Sequence, residues 1–244
     1  MRLDSYSLWR RLLPGSKVGH DVYVEYVTTH FRDGCRWLDA GGGRHIFPDL
    51  RPEGERELVK RSRLVVVCDG DVLSLKDHVS VGNLIVCDLA RIPLPSHSMD
   101  FVTCAMVVEH LSEPAACLGE LARVLSRGGR LIIHTVNLWG YPTILAMLSK
   151  CIPFALRKRL IAKVTGRFEE DIFPTRYKCN TARTITKLLK NKGLEIQETI
   201  YLHEGLVFPS VFPLYVLELL YKKLTSSLGL HWIRGQLLVT ASKP

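Results

Sequence analysis

Three apolar runs early in the chain each end on an aspartate. Arg36-Trp37-Leu38 runs into Asp39, Leu64-Val65-Val66-Val67-Cys68 into Asp69, and Leu84-Ile85-Val86-Cys87 into Asp88. The second run is continuous and rich in β-branched residues, as in a strand buried on both faces of a parallel sheet. Helical patterns separate the runs. Val24, Val27 and Phe31 recur at helical spacing over 20–31, and shorter helices are expected over 55–61 and about 72–78. Strands alternating with helices at this rhythm predict a parallel sheet with helices on both faces. The first run also opens into Gly41, Gly42 and Gly43, within CRWLDAGGGRH. Glycine has no Cβ and tolerates positive φ, so such a turn lets a ligand approach the backbone. Taken alone, a tight turn with no ligand explains the stretch equally well.

The pattern continues to residue 136. A turn-rich loop, ARIPLPSHSMD, leads to a fourth strand over 101–106. Ser112 is the expected N-cap of a helix whose Ala115, Leu118, Leu121, Ala122 and Leu125 share one face. Gly128-Gly129 is expected to end that helix, and 130–136 to form strand five. Asn180 is expected to cap a helix running to Asn191, with Gly193 as its stop. Strands are expected over 194–202 and 236–241. After the glycines, Pro48, Pro52 and Gly54 interrupt the helix that should follow, and only 55–61 reads as helical.

Two apolar insertions break the rhythm, at about 138–179 and 203–234. Within the first, Leu156, Leu160, Ile161, Val164 and Phe168 would share a helix face, ringed by Arg157, Lys158, Arg159, Lys163 and Arg167. A basic amphipathic helix over 156–168 suits an anionic membrane surface, or a solvated face on a packed helix. The chain carries 33 Lys and Arg against 24 Asp and Glu, a formal +9, which favours an anionic partner without choosing one. Its seven cysteines include no CxxC pair, so no structural metal is expected and a reducing compartment fits. Cys35, Cys68, Cys87 and Cys104 read as small buried hydrophobes. The first residues lack a secretory apolar core, and no window offers about 20 clean apolar residues. A cytoplasmic protein with peripheral membrane contact is the expectation.

The motifs together resemble the class I S-adenosylmethionine-dependent methyltransferases. DAGGGR resembles the family's first motif, D/E-x-G-x-G. VVVCDGD resembles its second-strand motif, and CDLARIPLPSHSMDFVTCAMVVEHLSEP the central signature of its small-molecule, type 11-like branch. The likeness is strong over 35–137 and looser over 173–201. It implies a Rossmann-like α/β fold, doubly wound, with a mostly parallel seven-stranded sheet. A helical extension over 1–34 would precede a domain over 35–244 with the two insertions. S-adenosylmethionine is the implied cofactor and S-adenosylhomocysteine its product. By resemblance, Gly41 and Gly43 would admit the methionine portion of the cofactor, and Asp39 would orient the loop and the cofactor's amino group. Asp69 would take the ribose hydroxyls and Asp88 the adenine amine, with the Leu89 backbone beside it. Ala105 and Met106 would lie near the sulfonium.

Two departures stand out. The family often has a third glycine two positions after Gly43, where this chain has His45. In ubiquinone-type O-methyltransferases a glutamate three positions before the Glu109-His110 pair joins it in holding a divalent metal. Here that position is Met106, a poor ligand for a hard ion, so no metal is expected. His110 is the candidate general base, since an imidazole titrates near neutrality; the bland reading has the pair shaping the next helix. Tyr23 and Tyr26 are candidates for lid residues or for helix packing.

The resemblance implies methyl transfer to a small or lipid-linked acceptor, at oxygen. RNA methylation would use the net charge but lacks a separate RNA-binding module, so nucleic acid is disfavoured. A nicotinamide oxidoreductase would need glycine at Ile46. A cofactor-binding protein without catalysis is the remaining alternative.

Overall fold

The computed structural model describes residues 5–47, 52–153 and 174–244. The basic stretch over 156–168 and the proline at 48 lie outside the described residues. In chain order the helices are α1 (Ser5–Leu12), α2 (Gly19–His30), α3 (Pro52–Arg61), α4 (Val72–Lys76), α5 (Pro114–Val124), α6 (Tyr141–Ser149), α7 (Ala182–Lys190) and α8 (Phe212–Ser227). The strands are β1 (Arg36–Ala40), β2 (Leu64–Asp69), β3 (Leu84–Val86), β4 (Met99–Ala105), β5 (Leu125–Val136), β6 (Glu195–Leu202) and β7 (Gln236–Ser242). They form one seven-stranded sheet in the order β3-β2-β1-β4-β5-β7-β6.

The pairs β1–β2, β1–β4, β2–β3 and β4–β5 are parallel. β7 runs the other way. Lys243, just past its end, exchanges backbone hydrogen bonds with Gly128 and Gly129 near the start of β5. Such reciprocal bonding marks an antiparallel pair. The sheet is therefore the expected doubly wound one, mostly parallel, with a reversed strand near one edge.

The chain divides into two compact units. One, the sheet unit, comprises Val22–Thr135, Thr175–Ile200 and Leu237–Pro244; the other, the helical unit, comprises Met1–Asp21, Val136–Pro174 and Tyr201–Gln236. In the sheet unit the inner strands are buried as their composition requires, with Trp37, Leu38, Val67, Val102, Leu131, Ile132 and Ile133 closed to solvent, whereas β3, at the sheet edge, leaves Leu84 and Val86 exposed. Trp37 anchors an aromatic cluster with Phe31, Phe47 and Phe101, ring centres 5.8–6.1 Å apart. Tyr23 is wholly buried against His134, 5.2 Å between rings. Tyr26 donates to Glu198 on β6 at 2.8 Å. Both tyrosines pack the helix rather than forming a lid. In the helical unit, Trp9 and Leu13 from the first residues pack with Leu206, Tyr215 and Leu219.

Three expectations are corrected. Ser112 does not cap α5: the cap position is Glu113, whose side chain makes no capping bond, and Pro114 opens the helix. Proline suits the first turn because its missing N–H would be unpaired there anyway. Gly128-Gly129 does not end α5 either. The helix stops at Val124, and β5 starts at once on Leu125. The glycines instead let β5 bulge, its register on β4 jumping from Met99↔Leu125 to Phe101↔Arg130. Gly128 takes φ +72°, and a Cβ on Gly129 would lie 2.8 Å from the Ser126 carbonyl. Finally, Thr181, not Asn180, caps α7, its hydroxyl accepting from the Thr184 N–H at 3.1 Å. Asn180 is fully buried and donates to Thr135. Gly193 does lie past the helix end as expected, at φ +79°. Among the cysteines, Cys87 is half-buried, whereas Cys35, Cys68 and Cys104 are buried.

Candidate functional site

The sheet order determines what can meet. From β1 the chain passes outward to β2 and β3, then returns to lay β4 on the other side of β1. The strand order reverses between β1 and β4, and ligands of open parallel sheets bind outside the carboxyl ends of the strands at that point. Asp39 and Asp69 lie in the last residues of β1 and β2, and Asp88 two residues past β3. Ala105 closes β4 and Met106 follows it. The order thus gathers the candidate residues of four strands at one end of the sheet.

Each glycine of the turn is required. Gly41 takes φ +78°, and a Cβ there would stand 2.2 Å from Cγ2 of Val107, the residue after Met106. Gly43 takes φ +50°. Gly42 has an ordinary φ but no room, since a Cβ would come 2.3 Å from Asp39 Oδ2 and 2.6 Å from Val67 Cγ1. The turn therefore lies directly on the Asp39 carboxyl and against the β4 exit. Val107 and Gly42 were not singled out from sequence; the unbroken GGG run was the available signal for Gly42.

Asp39 is 2% exposed. Its Oδ1 accepts from Thr103 Oγ1 at 2.6 Å, and Thr103 in turn accepts from Trp37 Nε1 at 2.7 Å. Burial pushes the Asp39 carboxyl up to about 8, the Thr103 hydroxyl opposing and the charges of Glu55 and Asp69 adding to it. Asp39 thus supports the turn from beneath. Asp69 is half-buried at the rim. Its Oδ2 accepts the Gly43 N–H at 3.0 Å and its Oδ1 the Asp71 N–H at 2.8 Å. This clamps the tip of the glycine turn to β2 and leaves acceptor capacity on both oxygens. Asp71, not Asp69, caps α4: it accepts from the Leu73 and Ser74 N–H groups and has its carboxyl lowered mainly by the Ser74 hydroxyl. Asp88 is exposed, and its Oδ1 accepts the Ala90 N–H at 2.9 Å across a tight turn. Leu89 beside it is buried.

Met106 adopts φ +56°, unusual for a side chain of its size, and is 39% exposed. Its N–H donates to the His134 carbonyl at 2.7 Å, which fixes this strained exit from β4. Backbone strain of this kind clusters at functional sites. His110 is half-buried and ends a single 3₁₀ turn, Val108–His110. Its neighbour Glu109 is 3% exposed and faces inward. The Glu109 carboxyl accepts from Thr135 Oγ1 at 2.8 Å, and its carbonyl accepts the N–H groups of Arg176 and Tyr177. Burial raises this carboxyl above its ordinary value. Glu109 therefore ties the β4 exit to β5 and to the segment before α7. Among the described residues, no group of three or more His, Cys, Asp or Glu is placed to hold a metal ion.

After the turn, Ile46 and Phe47 are buried. Glu55, reached from α3, accepts the Phe47 N–H at 3.0 Å and the Ser80 hydroxyl. A buried carboxylate from the helix thus secures the chain leaving the glycines, a link the prolines in the sequence obscured. Position 45 is half-buried in a turn closed by its N–H to the Gly42 carbonyl.

The set of groups at the strand ends is rich in acceptors. Asp69 and Asp88 offer carboxylate oxygens, and the turn offers backbone that approaches without side chains. This chemistry fits hydroxyl and amine donors on a nucleoside that carries positive charge. It fits a pyrophosphate poorly, because like charges would repel.

Comparison with known proteins gives the same direction. The family model described as "Methyltransferase domain" matches residues 51–133. The ubiquinone biosynthesis O-methyltransferase of Xanthomonas euvesicatoria is 30% identical over 193 residues, covering 72% of this chain and 70% of that protein. The ubiquinone/menaquinone biosynthesis C-methyltransferase of Cupriavidus necator is 26% identical, covering 72% and 74%. Among solved structures, a SAM-dependent methyltransferase from Thermotoga maritima superposes with a TM-score of 0.58 at 14% identity. It covers 99% of this chain and 95% of that one.

Proposed function

We propose that this chain, which belongs to the class I S-adenosylmethionine-dependent methyltransferases, transfers its methyl group to an oxygen of a small or lipid-linked acceptor. Methyl transfer from S-adenosylmethionine follows from the family. The acceptor class and the methylated atom are our reading. One observation supports them most: the 30% identity to a protein named for O-methylation in ubiquinone biosynthesis, spread over 72% of the chain. We also propose a cytoplasmic location.

S-adenosylmethionine supplies an electrophilic methyl on a sulfonium, and S-adenosylhomocysteine is what leaves. The protein's own work is alignment and exclusion of water. Asp69 holds the glycine turn through Gly43 and keeps lone pairs for a ribose hydroxyl pair. Asp88 stands one strand further out with Leu89 beside it, suited to an exocyclic amine. Gly41 and Gly43 form the surface on which an amino acid moiety would lie, with the buried Asp39 supporting it from beneath. Ala105 and Met106 occupy the β4 exit, where the sulfonium end of the cofactor would lie. His110, one 3₁₀ turn later, is the group we assign to take a hydroxyl proton from the acceptor.

The test is turnover with S-adenosylmethionine on hydroxylated aromatic acceptors, with and without an isoprenoid tail, read by mass spectrometry. We expect O-methyl product, with His110→Gln lowering kcat by about 10²- to 10⁴-fold, the usual worth of a general base, at unchanged cofactor affinity. Methylation at carbon or nitrogen, or an unaltered kcat in His110→Gln, would overturn the assignment.

A further inference from the structure

Helix α8 in the helical unit is turned inside out. Its buried face carries Tyr215, Glu218, Leu219, Lys222 and Thr225. Its outer face carries Leu214, Leu217, Leu220 and Leu224, which are 37–63% exposed, and Leu228 follows at 62%. At about 100° per residue these five leucines fall within a stripe roughly 120° wide, with no charged residue inside it. Ordinary surface helices have the opposite arrangement.

The inward charges are paired, one ammonium between two carboxyl groups. Lys222 is fully buried, with Nζ 2.7 Å from Glu204 Oε1 and 3.1 Å from Glu218 Oε1. It also donates to the carbonyls of Glu204 and Gly205 and lies 4.8 Å from the Trp9 ring centre. Glu218 takes further bonds from Tyr141 Oη and from the N–H groups of Val207 and Phe208. Glu204 and Glu218 are thereby drawn inside. Among its described residues Asp21 is the one exposed acid, whereas Arg11, Lys17, Lys150 and Lys223 are exposed cations. Over its sequence segments the unit holds 13 Lys and Arg against seven Asp and Glu.

Helix α6 adds to this surface. Tyr141 at its start bonds to Glu218 and meets Tyr221 edge-on at 5.1 Å, which docks α6 beside α8. Beyond that contact Ile144, Leu145, Met147 and Leu148 are 41–61% exposed. Trp139 and Trp232, also in this unit, are 54% and 52% exposed. Leucine stripes, half-exposed tryptophans and, among the described residues, several exposed cations against one exposed acid together suit lipid headgroups over acyl chains.

We propose that the leucine face of α8, with α6, docks on the surface of an anionic lipid bilayer, α8 lying in the plane of the interface. No described helix is long and apolar enough to cross a membrane. The charge favours lipid over a second copy of the chain, since pairing two such faces would bring like charges together. The inference does not depend on which acceptor is methylated.

The experiment is vesicle flotation of the full chain, with phosphatidylcholine alone or mixed with phosphatidylglycerol, at low and high salt. The comparison variant is Leu217→Ser/Leu220→Ser/Leu224→Ser, in which only exposed side chains change. A second variant, Lys223→Glu, probes the charge. We expect the wild type to float with the anionic vesicles at low salt and much less with phosphatidylcholine. The triple variant should lose about tenfold or more in partitioning, with thermal midpoint and S-adenosylmethionine affinity retained. Lys223→Glu should weaken binding in the same direction. Wild type that stays unbound, or a triple variant that floats like wild type, would overturn the proposal. So would a wild-type dimer that the triple variant converts to monomer without any change in vesicle binding.

Discussion

Thr103 passes a hydrogen bond from Trp37 to Asp39 inside the sheet, and this short relay holds an acid where solvent does not reach. The Asp39 carboxyl titrates at about 8 against an ordinary 3.8. A carboxyl raised on folding favours the native state while it is protonated in both states. That contribution is complete below about 3.8 and is lost as pH rises through about 8. Thermal midpoints measured across this window should therefore fall for the wild type and fall less for Asp39→Asn. Thr103→Val removes a neutral donor to Asp39 and orphans the Trp37 N–H, at a cost of about 1–3 kcal/mol in chemical denaturation. It should also push the Asp39 carboxyl further up. Sequence alone led to Asp39 because it ends an apolar run before glycines. It did not lead to Thr103 or Thr135, and it led to Asn180 only as a helix cap. Their signal is faint: single polar residues in or beside buried strands, whose partners are 26 to 66 positions away.

At the scale of elements, the glycine turn and the β4 exit form one joint. Gly41 must keep positive φ and leave the space that Val107 fills. Gly41→Ala should destabilise the fold by about 1–2 kcal/mol from the left-handed backbone alone, with a further steric cost. Adding Val107→Ala should recover the steric part and not the backbone part, which equilibrium denaturation of the single and double variants would resolve. The strands that carry this joint were legible because burial on both faces demands continuous apolar runs. Element ends were less so. Gly128-Gly129 reads as a helix stop, yet the pair serves a bulge in β5, because Asp100 and Lys243 crowd it from neighbouring strands. Asn180 reads as a cap, yet its amide is taken by Thr135 in the core. In each case a non-local partner outcompeted a local propensity.

For the whole molecule, the alternation of strands and helices announced the parallel sheet, and the three aspartates pointed to one end of it as the candidate site. The inverted polarity of α8 was not legible, because Glu218 and Lys222 look like solvent-facing residues until Glu204 and Trp9 are brought to them by the fold. Lys222→Met should cost about 3–5 kcal/mol of stability, since it leaves two carboxylates buried without their cation. Glu204→Gln in that background should restore part of it, as thermal denaturation would show. The central claim, that β1, β2 and β3 end in a nucleoside-sulfonium site, is tested most directly by calorimetry. S-adenosylmethionine and S-adenosylhomocysteine would be titrated into wild type and Asp69→Ala. We predict that both ligands bind the wild type and that Asp69→Ala weakens each by about tenfold to a hundredfold, the worth of hydrogen bonds to a charged group. No binding to the wild type, or equal affinity in the variant, would contradict it.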